Sequence, residues 1–481
     1  MYILALEAST SSAKAMLYDP ALDTAEIASE AYDASICADG LTDTEQVFQC
    51  VARLGRQLAA GKDVAAVALC ATWHSVTVCD ADMNPMTRTH NWNFMAPSAM
   101  CREVRADREL AAKLYTRTGC MPHVTYPREM LRYLSRTGME LKGKLLPSQG
   151  AYNFFRLTGA FRESVCSVSG GGLTNIASLD YDDFALSYCG AERSQFGALC
   201  TYRDALPLTA AGAELLGVDA GIPVVPAHAD GALNQVGDGA AARGKMTISV
   251  GTSGALRFTT DNPVLPKEHS LWCYRGATDH MVGAAVAGAC NCVNWFKDVF
   301  LRGALRFQEL ERGAALPDDP PVFMPFLFGE RCPGWRDDRL GAFGCVKPEH
   351  NISDLYLAVQ QGVLFGMYQC YEALTGNMGE PESICLSGGI LNSERWTRMA
   401  ADLFGREMLI SQNANASLTG AVLLDMHAAG LVEDVASYEF PSARDRRRVA
   451  PRAENTAALR RHYESYLDWY KRSAPERGWE A

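Results

Sequence analysis

Short apolar runs alternate with amphipathic stretches along most of the chain. Tyr2-Ile3-Leu4-Ala5-Leu6 and Ala15-Met16-Leu17-Tyr18 read as strands, as do Val64–Leu69, Val76–Val78, Thr247–Val250 and Ile384–Leu386. Each is brief, apolar and bounded by polar or turn-forming residues, the pattern of a buried strand. Between them, Glu45–Leu58, Asp354–Leu374 and Arg395–Phe404 carry apolar residues at helical spacing. A last stretch, Glu454–Arg472, sets Leu459, Tyr463, Tyr466 and Tyr470 on one face. Strands alternating with helices predict an α/β fold. At 481 residues the chain exceeds the size at which one core keeps growing, so two domains are expected.

One pair of strands encloses a hydroxyl-rich stretch, LEASTSSAK, in which Ser9, Thr10, Ser11 and Ser12 follow one another. Such a stretch suits an anion cradle. It suits equally a turn whose hydroxyls bond their own backbone. A second copy lies in the other half of the chain, ISVGTSGALRF, which sets Gly251, Thr252, Ser253 and Ala255 beneath Ser9, Thr10, Ser11 and Ala13. Two such hairpins, each opening a comparable half, point to two similar domains that present loops to each other across a cleft.

Composition narrows the function classes. Apolar residues make up 48% and charged residues 21%, ordinary for a folded protein. A net charge of −11 gives no encouragement to nucleic-acid or anionic-membrane binding. The short basic cluster Arg444-Asp445-Arg446-Arg447-Arg448 lacks interleaved aromatics and reads as a solvated loop. The 16 cysteines include no Cys-x-x-Cys, and the histidines no His-Glu-x-x-His, so neither a zinc pattern nor a disulfide framework is expected. No basic segment precedes the first apolar residues and no apolar run reaches the roughly 20 residues of a membrane span. A soluble, cytoplasmic, thiol-reduced protein is expected.

Eight segments then occur in a telling order: LEASTSSAK (6–14), CATWHSVTVCD (70–80), TGCMPHVTY (118–126), AHADGALNQVG (227–237), VGTSGALR (250–257), LFGERCPGW (327–335), LSGGILNSERW (386–396) and ASLTGAVLL (416–424). In that order and spacing the chain resembles the FGGY carbohydrate kinase family nearly end to end. Trp73-His74-Ser75, the TGC block with His123 and Tyr126, GTSGALR followed by Leu271-Trp272-Cys273-Tyr274, and GERCPGW are most similar to its gluconokinase branch. The resemblance implies two ribonuclease-H-like domains, as in actin and hexokinase, closing on ATP and sugar. Residues 1–243 would form an N-terminal, mainly sugar-binding domain and residues 244–481 a C-terminal, mainly nucleotide-binding one. It also implies an ATP-dependent kinase that phosphorylates a hydroxyl of a sugar or sugar acid, with Mg²⁺ as cofactor and assembly as a homodimer.

Roles follow from the same resemblance. Asp230, in His228-Ala229-Asp230-Gly231, takes the catalytic aspartate's position, where a carboxylate accepts the hydroxyl proton and touches substrate. Thr10, Ser11 and Lys14 resemble the first phosphate loop, and Gly251, Thr252 and Ser253 the second, where bare backbone approaches phosphate and tolerates positive φ. Gly388 and Gly389, followed by Asn392 and Ser393, resemble the adenosine segment, and Asn294 a nucleotide contact. A strand-to-helix turn with an Asn or Ser cap explains Asn392 and Ser393 as well. Trp73, His74 and Tyr126 fall at sugar-contacting positions, with His123 beside them.

The family pattern is broken at four places. Glu7 stands where an aspartate helps hold Mg²⁺, and Ser9 stands where a glycine is usual, at a cost of about 1–2 kcal/mol if φ there is positive. The usual Trp-x-Asp-x-Arg block reads Trp92-Asn93-Phe94-Met95-Ala96, losing its acid and its base, and Cys290 replaces a helical glycine. The lost pair suggests a pocket made partly apolar and an acceptor other than gluconate. Two readings follow: an active kinase with Asp230 as base, or a catalytically degenerate relative that binds nucleotide or sugar as a sensor or scaffold.

Overall fold

Helix α1 (Thr44–Ala59) shows how local sequence sets the architecture. Asp43 caps it by accepting from the Gln46 amide, and Val47, Phe48, Val51 and Leu54 bury one face. That face packs on a sheet whose first strands are β1 (Tyr2–Ala8), β2 (Ser12–Asp19) and β3 (Thr24–Ala31). The structure is a computed structural model that describes residues 1–312, 319–441 and 446–473. The sheet is completed by β4 (Val64–Ala71), β5 (Leu206–Pro207) and β6 (Pro223–Ala229), in the order β5-β6-β4-β1-β2-β3. β1, β4 and β6 run parallel, whereas β1-β2-β3 is an antiparallel meander. Strand β6 leads directly into helix α2 (Asp230–Gly237).

The second half repeats this plan. Its sheet takes β7 (Lys245–Val250), β8 (Gly254–Thr260), β9 (Trp272–Arg275), β10 (His280–Val286), β11 (Ser383–Ser387), β12 (Met408–Ile410) and β13 (Arg448–Val449), ordered β9-β10-β8-β7-β11-β12-β13. Again an antiparallel set, β7-β8-β10, adjoins a parallel set, β7-β11-β12. Helices α3 (Cys290–Trp295), α4 (Ile352–Met378), α5 (Glu394–Phe404), α6 (Ala416–Ala428) and α7 (Ala453–Arg472) accompany it. Helix α7 buries Leu459, Tyr463 and Tyr466, as its periodicity predicts. Helix α2 ends at Gly237 and the next strand starts at Lys245. Yet one apolar core runs through both halves, joining Ile3 and Ala5 to Val250, Leu256 and Tyr274.

Two local expectations need correcting. Arg447 and Arg448 are exposed, as a solvated segment would be, but they pair with Glu394 and Glu407, Arg446 reaches the Asp238 carbonyl, and Arg448 belongs to an edge strand rather than a loop. Arg444 and Asp445 lie outside the described residues. The run Val76–Val78 pairs as a strand only at Ser75–Val76, after which Cys79 makes isolated bridges to Pro85 and Leu145. Among the described residues, no helix is long and apolar enough to cross a membrane.

Candidate active site

In open α/β sheets, ligand-binding loops gather beyond the carboxyl ends of parallel strands. In the first half β1, β4 and β6 deliver Ser9–Ser11, Trp73–His74 and Asp230 to one edge. In the second, β7, β11 and β12 deliver Gly251–Ser253, Gly388–Gly389 and Ser411. Contacts between the halves close on these ends. Ser417 of α6 donates to Glu7 at 3.0 Å, and the phenols of Tyr126 and Tyr274 meet at 2.8 Å.

The first hairpin is both a turn and an open tip. The Ser9 hydroxyl donates to the Ser12 carbonyl at 2.7 Å, and Ser9 lies outside the left-handed region, so no strain replaces the missing glycine. Thr10 is committed within the protein, because its hydroxyl meets Thr72 at 3.2 Å and accepts from the Trp92 indole at 3.0 Å. Ser11 is exposed at the tip. Glu7 and Lys14 are cross-strand partners, and the ammonium lies 3.5 Å from the buried carboxylate. Lys14 is therefore shared with Glu7 rather than extended alone toward a phosphate. Glu7 itself, with its extra methylene, reaches Lys14 and Ser417 together.

The second hairpin is one residue tighter: Val250 pairs with Gly254, whereas Ala8 pairs with Ala13. Gly251 does not occupy positive φ, contrary to expectation, and a Cβ there would meet only open space to 3.7 Å. Its use is therefore access to bare backbone. Thr252 is exposed beside it, and Ser253 is partly buried. Gly388 does need glycine, since its φ is +96° and a Cβ would lie 2.5 Å from the Val250 carbonyl oxygen. Cys290 stands against this turn, its thiol 3.3 Å from the same carbonyl and 2.9 Å from where a Gly389 Cβ would be. Ser393 is a helix cap, accepting from the Trp396 amide at 3.1 Å and donating to Glu311 at 2.7 Å, so its hydroxyl is spent. Asn392 is exposed beside it. Asn294 is exposed on α3, while Trp295 packs on Phe300 and Phe323.

Asp230 opens α2 at the junction of the two edges, accepting its neighbour Gly231's amide at 2.7 Å. Burial, and then the charge of nearby Glu7, push its carboxyl up to about 6. Arg257 of β8 opposes this shift and is held at 3.3 Å from Ser249. Trp73 forms a wall: its indole donates to the Cys166 carbonyl at 2.9 Å and its ring stacks on His74. Burial, then Arg331, pull His74 down to about 3, so the ring is neutral. Its Nδ1 sits 2.8 Å from the Gly170 carbonyl and must carry the proton, leaving Nε2 an acceptor. Tyr126 corrects the sequence reading. It is fully buried with its phenol committed to Tyr274, so it backs His74 and offers no surface to a sugar. His123, also buried, holds Thr125 through Nδ1.

Sequence reasoning missed Arg257, Trp272, Tyr274 and Arg331. The signal was present, since all four lie in GTSGALR, LWCY and GERCPGW, but only the three-dimensional closure sets them around Asp230, Trp73 and His74. The apolar replacement at Phe94 also behaves unexpectedly. Phe94 packs on His90 at 4.8 Å and Tyr133 at 6.0 Å, joining a satellite core with Val76 and Leu131. Glu7, buried at the root of the first hairpin, offers hard carboxylate oxygens of the kind that suit a divalent cation.

Comparison with known proteins fits this geometry. Sequence models of the FGGY family of carbohydrate kinases match twice, the N-terminal domain at residues 2–237 and the C-terminal domain at 246–429. A gluconokinase of Bacillus subtilis is 25% identical over 463 residues, covering 90% of this chain and 88% of its own. A xylulose kinase of Escherichia coli is 26% identical over 378 residues, covering 76% and 77%. Among solved structures, gluconate kinase from Lactobacillus acidophilus superposes with a TM-score of 0.91 at 22% identity, covering 98% of each chain, which shows a shared fold.

Proposed function

The chain belongs to the FGGY family of carbohydrate kinases, and on that premise we propose that it is catalytically competent, moving the γ-phosphoryl group of ATP to a hydroxyl of a sugar or sugar acid. Its class is a phosphotransferase with an alcohol group as acceptor. The observation that carries competence is Asp230, a carboxylate tuned to about 6 at the junction of the two halves, beside Glu7 and Arg257. A base of that strength is ionised at neutral pH, yet basic enough to take a hydroxyl proton as the oxygen attacks phosphorus. The acceptor O–P bond forms, the bond between the β- and γ-phosphates breaks, and ADP leaves.

The two hairpin tips, Thr10–Ser11 and Gly251–Ser253, hold the phosphates through backbone N–H groups, with hydroxyls added by Ser11, Thr252 and Ser253. The bare Gly388–Gly389 turn takes the adenosine, and Trp73 and His74 position the sugar. The N-terminal half is thus mainly sugar-binding and the C-terminal half mainly nucleotide-binding. Glu7, a buried carboxylate at the root of the first hairpin, would hold Mg²⁺. When bound, Mg²⁺ neutralises charge on the phosphates. We place the protein in the cytoplasm and expect a homodimer.

The test is a coupled assay for ADP release with and without candidate sugars, comparing wild type with Asp230→Asn. Sugar-stimulated release that the substitution lowers by roughly 10²–10⁴-fold supports the proposal. ATP binding without turnover on any acceptor supports the sensor reading instead.

A further inference from the structure

We propose that Arg257 is a further catalytic residue, one whose guanidinium meets the phosphoryl group as it passes from ATP to the acceptor. This deepens the kinase reading and rests on it for turnover, though not for binding of a transition-state mimic. Arg257 stands on β8, the returning strand of the second hairpin, and the sheet fixes its place. Its cross-strand partners are Thr247 on β7 and Gly283 on β10, and Gly283 pairs in turn with Trp272 on β9. A Cβ at Gly283 would lie 2.4 Å from the Trp272 ring, so the indole covers bare backbone beside Arg257. From this row the guanidinium crosses to the other half. Its Nη2 lies 3.1 Å from where a Gly231 Cβ would stand, and the Trp73 ring lies 2.8 Å from the same point. Gly231 is the residue whose amide donates to Asp230 at 2.7 Å. Its missing side chain lets the guanidinium and the Trp73 wall meet at the turn that carries the base.

The cation is held in place and yet unspent. Its Nη1 donates to the Ser249 hydroxyl at 3.3 Å, while Nε is buried without a hydrogen-bond partner and, among the described residues, no carboxylate forms an ion pair with it. Two other cations near these strand ends are committed: Lys14 lies 3.5 Å from Glu7, and Arg446 donates to the Asp238 carbonyl at 2.6 Å. Arg257 is half-buried, and holding a cation out of water without a counter-charge is costly, so the site is completed by an anion from outside. Position selects the transferring phosphoryl group. The side chain starts on the strand of a hairpin that holds phosphate in the kinase reading and ends against the turn of the base. During transfer the acceptor oxygen bonds to phosphorus and its proton passes to Asp230. The bond from phosphorus to the bridging oxygen breaks, and its electron pair leaves on ADP. Charge spreads over the three equatorial phosphoryl oxygens, to which a planar guanidinium offers paired N–H donors.

The experiment uses the full chain as wild type, Arg257→Gln and Arg257→Lys. ADP release is measured across pH with ATP and a panel of sugar acids, ketoses and polyols. Calorimetry measures ADP binding with and without aluminium fluoride, a mimic of the phosphoryl group in transfer, in the presence and absence of the same acceptors. Arg257→Gln should lower kcat by roughly 10²–10³-fold and leave the KM values for ATP and acceptor nearly unchanged, with Arg257→Lys in between. Aluminium fluoride should tighten ADP on wild type by about 10²-fold or more. Arg257→Gln should lose that tightening and bind ADP alone as before. ADP-induced thermal stabilisation reports that each variant is folded. A loss confined to the acceptor's KM, a loss of affinity for ADP alone, or a kcat fully restored at higher pH would overturn the inference, the last by making Arg257 a tuner of Asp230. Arg257-dependent tightening with no turnover on any acceptor would uphold it and remove the kinase reading. Sugar-stimulated turnover that is indifferent to Arg257 would do the reverse.

Discussion

Helices α2 and α6 cross with almost no space between their backbones, and a methyl group at that crossing tests how tightly Asp230 is positioned. A Cβ at Gly420 would lie 2.1 Å from the Leu233 carbonyl oxygen, and one at Gly237 would lie 1.9 Å from that of Ala416. Each helix thus meets the other's backbone through a glycine. In Gly420→Ala the helices must open by about 1 Å to admit the methyl group, and a displacement of that size at reacting groups costs on the order of 10²-fold in rate. The shift reaches chemistry by two routes. Leu233 lies one turn from Asp230 on α2, and Ser417 on α6 is the residue that bonds Glu7. Overpacking should also cost about 1–3 kcal/mol of stability. Gly376→Ala is the control: it is exposed in the last turn of α4 with nothing within 4 Å of its Cβ position. It should gain about 0.5–1 kcal/mol and leave turnover unchanged. Steady-state kinetics and thermal melts of both variants read the outcome. A Gly420→Ala protein whose kcat stays within about twofold of wild type, well short of the loss that such a displacement causes, would refute the reasoning.

With its carboxyl at about 6, Asp230 must lose its proton to act, so kcat/KM should fall about tenfold per pH unit below that value and level off above it. A profile flat down to pH 5 would argue against Asp230 as base. Asp425 is buried on α6, and burial alone raises its carboxyl from 3.8 to about 7. The unfolded chain releases this proton near 3.8 and the folded one keeps it, so its contribution to stability is lost as pH rises through that window, by up to about 1.4 kcal/mol per unit. Asp425→Asn should therefore gain on wild type between pH 4 and 7 in denaturant melts, and a pH-independent difference would count against the shift. Gly388→Ala combines positive φ with a 2.5 Å clash and should raise the KM for ATP more than that for sugar; an unchanged nucleotide affinity would detach this turn from the nucleotide.

The duplicated plan was legible because each half opens with the same signal, an apolar strand, a small hydroxyl loop and a returning strand. Those cues are local, and local cues survive in sequence. The amphipathic faces of α1 and α7 were legible for the same reason, since helical periodicity alone marks which side is buried. Asp230 emerged from its Asp-Gly context only with the family order around it.

Tertiary structure decided matters that depend on distant partners. Tyr126 and Ser393 looked available for ligands, but Tyr274 and Glu311, remote in sequence, take their hydroxyls. Glycine at 251 and serine at 9 raised questions of backbone strain that vanish because neither occupies positive φ. Phe94 suggested an apolar pocket, yet it packs on His90 and Tyr133. Residue types and spacing along the chain determined the two halves, their hairpins and the class of chemistry. Which side chains remain free to meet a ligand was decided by closure of one half on the other, because a polar group's use depends on what it faces, and sequence neighbours do not supply that.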